Sequence, residues 1–241
     1  MRSWAMPDRV SRDSYPARRM HWEEGLSGAW DVLDDSGLRC GMKKIVIATK
    51  NKGKLREMTN AFRDLPVKVL SLADFGELPE AVEDGKTFEE NARIKARFYC
   101  EKTGCACIAD DSGLEVAALG GAPGVHSARF SGTHADDATN NAKLLQELDR
   151  AGVEESPADY RCALVFHDVD GTEILTEGRC DGVVGKIARG TNGFGYDPYF
   201  YVGNRTIAEM SLEEKDRISH RGEALHKMVE RLCDVLGEVN T

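Results

Sequence analysis

From Lys43 onward the apolar residues of this chain change period in a fixed order, and that alternation restricts the fold more than any single motif. Ile45-Val46-Ile47-Ala48 is an apolar run of strand length, short enough to be buried on both faces of a sheet. Leu55, Met58, Phe62 and Leu65 follow at spacings of three and four, one face of a helix that ends before Pro66. Val67 to Leu72 reads as the next strand. Thr87-Phe88-Glu89-Glu90 has the S/T-x-x-E form of a capping box and opens a helix with Phe88, Ala92, Ala96 and Tyr99 on one face, after which Cys105 to Ala109 is a strand again. Strand and helix alternating in this way predict an α/β sheet with helices packed on its faces. Further on, Tyr160 to His167 and Glu173 to Cys180 flank Asp170-Gly171, a hairpin turn pair, so antiparallel strands join the sheet and it is mixed. Ser211 to Glu214 forms a second capping box, and Leu225, Met228, Leu232 and Leu236 mark a closing helix that stops at Gly237. No linker interrupts this stretch, so one domain is expected, divisible into two lobes.

Charge and cysteine usage exclude whole classes of function. A net charge of -9 is the wrong sign for gripping a nucleic acid polymer, although a free nucleotide needs only a few local cations. Seven cysteines with no CxxC pair fit reduced thiols in the cytoplasm rather than a disulfide framework, and Cys105 and Cys107 read as core residues beside a strand rather than metal ligands. No apolar run is long enough to span a bilayer and no hydrophobic signal segment opens the chain, so a cytoplasmic, membrane-free protein is expected. Residues 1–41 stand apart: they hold Trp4, Trp22 and Trp30, take their basic charge from arginine alone and show no sustained period. They read as a disordered or non-native extension ahead of a domain at 42–241. Asp34 to Leu38 repeats Asp110 to Leu114, but only the later copy follows an apolar stretch, Ala106 to Ala109, and so only it is set at a strand end.

Three motifs carry chemistry. Thr49, Lys50, Asn51, Lys52, Gly53 and Lys54 lie between a strand and a helix, where free backbone amides and the helix dipole favour an anion such as phosphate. Asn51 and Lys54 can add side-chain donors; the alternative is a solvated lysine-rich loop. Gly85-Lys86-Thr87 ends like a Walker A loop, but Glu80 stands where the first glycine is required. Asp110 and Asp111 point to opposite faces of an extended strand unless the chain turns, and Gly113 reads as such a turn. A strand-end carboxylate facing a cleft suits a hard cation such as Mg²⁺, which binds through one or two carboxylates plus substrate phosphates. After the glycine-rich loop Gly190 to Gly193, Phe194-Gly195-Tyr196-Asp197 offers an aromatic face for a base and a carboxylate for an edge donor, with a core aromatic as the bland alternative. Lys215 and Ser219-His220-Arg221, at the start of the last helix, add cations, Arg221 being suited to a keto oxygen or a phosphate.

In this order the segments TKNKGK, GKTFEENARIKA, DDSGLEV, GGAPGVHSARFSG, FGYDP and SHRGEAL resemble the noncanonical purine nucleoside triphosphate pyrophosphatases, the XTP/dITP diphosphatase or inosine triphosphate pyrophosphatase family, across essentially all of 42 to 241. The resemblance implies an elongated mixed sheet with flanking helices in two lobes around a nucleotide cleft, a homodimer, Mg²⁺ as cofactor, and hydrolysis of a purine triphosphate to the monophosphate and pyrophosphate. Carried over by motif, it makes Thr49 to Lys54 the nucleotide-binding loop and Asp111 the general base and metal ligand. Glu83 becomes a second metal-associated carboxylate, and Ser112, Phe194, Gly195, Tyr196, Asp197, Lys215, His220 and Arg221 become substrate contacts. Lys50 departs from the glycine many relatives carry, and residues 1–41 have no counterpart. Two competing expectations are a Maf-like nucleotide pyrophosphatase and a non-catalytic nucleotide sensor. The Phe194 to Asp197 and Ser219 to Arg221 segments speak against the first.

Overall fold

The computed structural model describes residues 21–24, 30–33, 39–40, 42–133 and 135–238. The chain divides into two units, Met1–Met42 and Lys43–Thr241. In the first, β1 (His21–Glu24), β2 (Trp30–Leu33) and β3 (Arg39–Cys40) pair antiparallel in sequence order. The repeat at Asp34 to Gly37 lies outside the described residues, as does Trp4.

The second unit begins as the pattern predicts: β4 (Lys43–Ile47), α1 (Lys52–Phe62), β5 (Val67–Ser71), α2 (Phe88–Thr103) and β6 (Ala106–Val116). α3 (Asp137–Ala151), β7 (Glu155–His167), β8 (Glu173–Gly185), β9 (Phe200–Val202), β10 (Arg205–Thr206), α4 (Leu212–Ile218) and α5 (His220–Glu238) complete it. The seven strands form one mixed sheet in the order β10-β9-β8-β7-β6-β4-β5. β4 runs parallel to both β5 and β6, and the remaining pairings are antiparallel. The hairpin turn falls at Asp170-Gly171 as expected, Asp168 N–H bonding to the Thr172 carbonyl and Gly171 taking φ +90°.

Three expectations need correction. β6 does not turn at Gly113; it runs on to Val116, paired with β7 at every position from Cys107 to Val116. Gly113 is required for another reason, since a Cβ there would lie 2.4 Å from both the Gly124 carbonyl and Ser127 Oγ. Asp110 to Gly113 therefore lies inside a strand. What ends is the neighbour: β4 pairs with β6 only as far as Ile47 opposite Ile108, so from Ala109 onward that edge of β6 has no strand beside it among the described residues. The closing helix extends through Gly237 to Glu238 rather than stopping at the glycine. At α2 only half of the box forms: Thr87 Oγ1 accepts the Glu90 N–H, while the Glu90 carboxylate takes the Lys86 N–H.

Strand periodicity sorts the core into two faces and two lobes. Ile45, Ile47, Ile108, Leu164 and Phe166 face α1 and α5, meeting Met58, Phe62, Leu225 and Met228. On the opposite face Val46, Cys107, Ala109 and Val165 meet Ala92, Ala96 and Tyr99 of α2. Further along the same long strands Leu114, Val116, Tyr160 and Val184 gather with Leu144 and Leu148 of α3 and with Phe200. On the α1/α5 face, the side chains between Ile108 of one core and Leu114 of the other are Asp110 and Ser112. The junction of the lobes is where burial gives way to polar chemistry.

Candidate active site

The candidate site lies where β4 ends beside β6, which runs on past it, with the N-terminus of α1 following β4; open α/β sheets bind ligands at such strand ends. Thr49 to Asn51 leave β4, Asn51 caps α1 by accepting the Lys54 N–H at 3.0 Å, and Lys52, Gly53 and Lys54 form its first turn. Asn51 thus spends its side-chain oxygen on the helix. Lys50 pairs with Glu80 at 2.8 Å on the exposed rim, and Lys52 is exposed.

On the α1/α5 face Asp110 is 1% exposed and held by three cationic contacts. Lys54 Nζ lies 3.1 Å from its Oδ2, and Arg221 donates to the same oxygen from Nε at 3.2 Å and Nη2 at 3.1 Å. Arg221 also donates to Ser112 Oγ at 2.8 Å and, through Nη1, to Glu57. Four of the five guanidinium N–H donors are therefore committed within the protein. Arg221 is thus a strut of the site, with one N–H left over for a ligand. Lys215, also buried, bridges Glu57 at 3.1 Å and Asp197 at 2.7 Å. Lys54, Lys215 and Arg221 so balance Glu57, Asp110 and Asp197, which is the condition for keeping charges out of water. Burial pushes the Asp110 carboxyl up, yet Lys54, Arg221 and Lys95 outweigh it and hold it well below the usual carboxylate range.

Asp111, one residue on, faces α2. Asn91 Nδ2 donates to its Oδ2 at 3.1 Å, and Lys95 Nζ bonds Glu83 at 2.7 Å and the Asp110 carbonyl at 3.1 Å. Here burial prevails: it raises the Asp111 carboxyl above the usual range, with Lys95, Lys54 and Asn91 opposing and Glu83 reinforcing it. Among the described residues no three or more His, Cys, Asp or Glu side chains gather as a metal cage. Asp111 and Glu83, two carboxylates that feel each other's charge, are the oxygen donors present, a set suited to a hard cation that takes its other ligands from phosphates and water.

The third motif closes over the first. Phe194 sits on Gly53, with Lys215 Nζ 4.4 Å from the ring centroid and the Arg221 guanidinium at 5.6 Å. Asp197 accepts the Phe194 N–H at 3.0 Å and, on its other oxygen, the Tyr160 hydroxyl at 3.4 Å. Tyr196 turns away into the second core, its hydroxyl on the Ser127 carbonyl at 2.7 Å, so only its backbone faces the motif. His220 stacks on Tyr160 with ring centroids 4.7 Å apart; burial, then Arg221 and Lys215, push its pKa well below the ordinary value and keep it neutral. Asp110 Oδ1 and His220 Nδ1 are buried without a hydrogen-bond partner.

Sequence patterns left Glu57, Asn91, Lys95 and Tyr160 unread as site residues. A signal existed: Glu57 stands three residues after Lys54, and Asn91 and Lys95 are four apart, each just before an apolar position, Ala92 or Ala96.

Residues 45–231 match the Ham1 family. The dITP/XTP pyrophosphatase of Syntrophobacter fumaroxidans is 50% identical over 194 residues, 80% of this chain and 83% of that protein. The dITP/XTP pyrophosphatase of Geobacter sulfurreducens is 49% identical over 193 residues, 79% of this chain and 97% of its own. A HAM1 protein from Coxiella burnetii, of known structure, superposes with a TM-score of 0.71 at 42% identity over 82% of this chain and all of its own. With the family match spanning residues 45–231, half of the aligned residues shared with such relatives and the fold superposed on that of a HAM1 protein, the chain belongs to the Ham1 family.

Proposed function

We propose that this chain hydrolyses noncanonical purine nucleoside triphosphates, dITP, ITP and XTP, to the monophosphate and pyrophosphate, clearing them from the nucleotide pool. The activity named for its relatives supports the reading, and one observation carries it to these residues. Segments far apart in sequence, 49–54, 110–112, 194–197 and 215–221, meet beside β6 where β4 has ended. The amides at the start of α1, with Lys52 and Lys54, receive the phosphates. Phe194 offers its face to the base. Asp111 and Glu83 would hold Mg²⁺, which would neutralise phosphate charge and lower the pKa of water. Asp111 accepts the proton of the water that attacks the α-phosphorus, while Asp110 stays an anion that fixes Lys54 and Arg221. Geometry supports the division: Asp110 is bound by Lys54 and Arg221, whereas Asp111 faces α2 with Asn91 as its hydrogen-bond donor.

Base choice follows from hydrogen-bond polarity. Hypoxanthine and xanthine present an acceptor at position 6 where adenine presents a donor, and the remaining Arg221 N–H or a nearby amide would leave adenine unpaired in a buried site. Such mismatches reach about 10⁴-fold. Guanine is excluded at position 2 by its amino group. A homodimer in the cytoplasm completes the proposal; Cys100, Cys107, Cys162 and Cys180 are free and buried, in keeping with a reducing compartment, and no described helix is long and apolar enough to cross a membrane. Pyrophosphate release measured with dITP, XTP, dATP and dGTP in the presence of Mg²⁺ tests the function. Fast release from dITP and XTP alone is expected. Binding without release would mark a sensor, and comparable kcat/KM for dITP and dATP would mark a general nucleotide pyrophosphatase.

A further inference from the structure

Two side chains of α3 that the proposed chemistry does not use grip the loop that carries Phe194. Asp137 Oδ2 accepts the Gly195 N–H at 2.7 Å, and Asn141 Nδ2 donates to the Gly195 carbonyl at 2.9 Å. Four residues apart, they are neighbours on one helix face and hold both backbone polar groups of a single residue. From the other side Asp197 accepts the Phe194 N–H at 3.0 Å and is itself fixed by Lys215 and Tyr160. Phe194 is thus suspended between an inner, buried anchor and an outer one on α3. Its seat is narrow: a Cβ on Gly53 would lie 2.4 Å from the ring.

We propose that Asp137 and Asn141 are positioning residues for nucleotide binding, setting the 193–197 loop so that Phe194 presents its face to the base. The inference rests on the reading of Phe194 as the stacking platform. α3 does not depend on the tether for its own place, because Asp136 and Thr139 cap it and Leu144 and Leu148 are fully buried. Without the outer anchor the loop samples other conformations, and apparent affinity falls by the fraction of time it spends in the competent one. Contacts made equally in ground and transition states act on KM and leave kcat alone.

Steady-state kinetics on dITP with the full chain tests this. Asn141→Asp preserves shape but sets a carboxylate against the Gly195 carbonyl; KM is expected to rise about tenfold with kcat within about twofold. Asp137→Ala is expected to shift KM the same way, and Asp137→Asn, which keeps an acceptor, stays within about twofold of the unmodified protein. If Asn141→Asp lowers the melting temperature, Asp137→Ala, which adds no charge, supplies the decisive KM. Phe194→Ala is the reference. Unchanged KM in both α3 variants beside a raised KM in Phe194→Ala overturns the tether alone. Unchanged KM in all three overturns the stacking platform, and the tether with it.

Discussion

Asp110 and Asp111 are consecutive in the chain and stand in opposite surroundings, because a strand alternates its faces and β6 has a different neighbour on each. Asp110 looks toward α1 and α5, where Lys54 and Arg221 close on it. Asp111 looks toward α2, where Asn91 is its hydrogen-bond donor and the Lys95 ammonium bonds Glu83 and the Asp110 carbonyl. Both carboxylates lose water, but only one is compensated in full, so their pKa values move apart. Both are buried, and the cations facing each decide the direction in which its pKa moves.

The comparison breaks first on the Asp110 side. Arg221→Met leaves Asp110 and Glu57 buried without their main partner, and removing one member of such a network costs about 3–5 kcal/mol. Asn91→Ala on the other face removes one hydrogen bond to Asp111, a cost of about 1–3 kcal/mol. Thermal unfolding should show a drop of roughly 10 °C for the first and a smaller one for the second. The pH dependence of stability has opposite signs on the two faces. Asp110, with its pKa lowered in the folded state, gives stability that is present above the unfolded value of about 3.9 and is lost as pH falls through the lower folded one. Asp111, with its pKa raised, favours the folded state below about 3.9 and gives that contribution up as pH rises through its folded value.

Lys95 sharpens the contrast at intermediate size. It is the strongest charge holding the Asp111 pKa down, so Lys95→Met should lower kcat/KM and move the acid limb of its pH profile upward, since the carboxylate form would now be lost at higher pH. An unmoved limb would remove Lys95 from the account. The smallest effect is expected from deleting residues 1–41, which we propose lie outside the catalytic domain. A chain starting at Met42 should keep its activity and melting temperature within error. A clear fall in melting temperature would show instead that Trp22 or Trp30 packs on the domain.

Much of this was legible in the sequence, and the failures have a physical pattern. Apolar period located β4, α1, β5, α2 and the β7–β8 hairpin, because each buries a continuous face. It stopped β6 at Ala109, since Asp110-Asp111-Ser112-Gly113 has the wrong composition for a strand; pairing with β7 overrides that preference. Glu57, Asn91 and Lys95 were missed because a polar residue on a helix reads as solvent-facing until the sheet beneath it is known. Arg221 stands out in the sequence, yet its commitment to Asp110 and Glu57 depends on α5 reaching β6 from 111 residues away in sequence, and no local pattern carries that. Tyr196 was grouped with its motif although its ring belongs to the second core.

The turnover of Asp111→Asn on dITP, measured beside Asp110→Asn with melting temperatures for both, bears most directly on the division of labour between these residues. Asp111→Asn should lose at least about 10²-fold in kcat while melting close to the unmodified protein, as expected for a positioned proton acceptor and metal ligand. Asp110→Asn should owe its loss to a destabilised fold. Near-normal turnover in Asp111→Asn, with the activity gone from a stably folded Asp110→Asn, would reverse the assignment and place the base on the other face of β6.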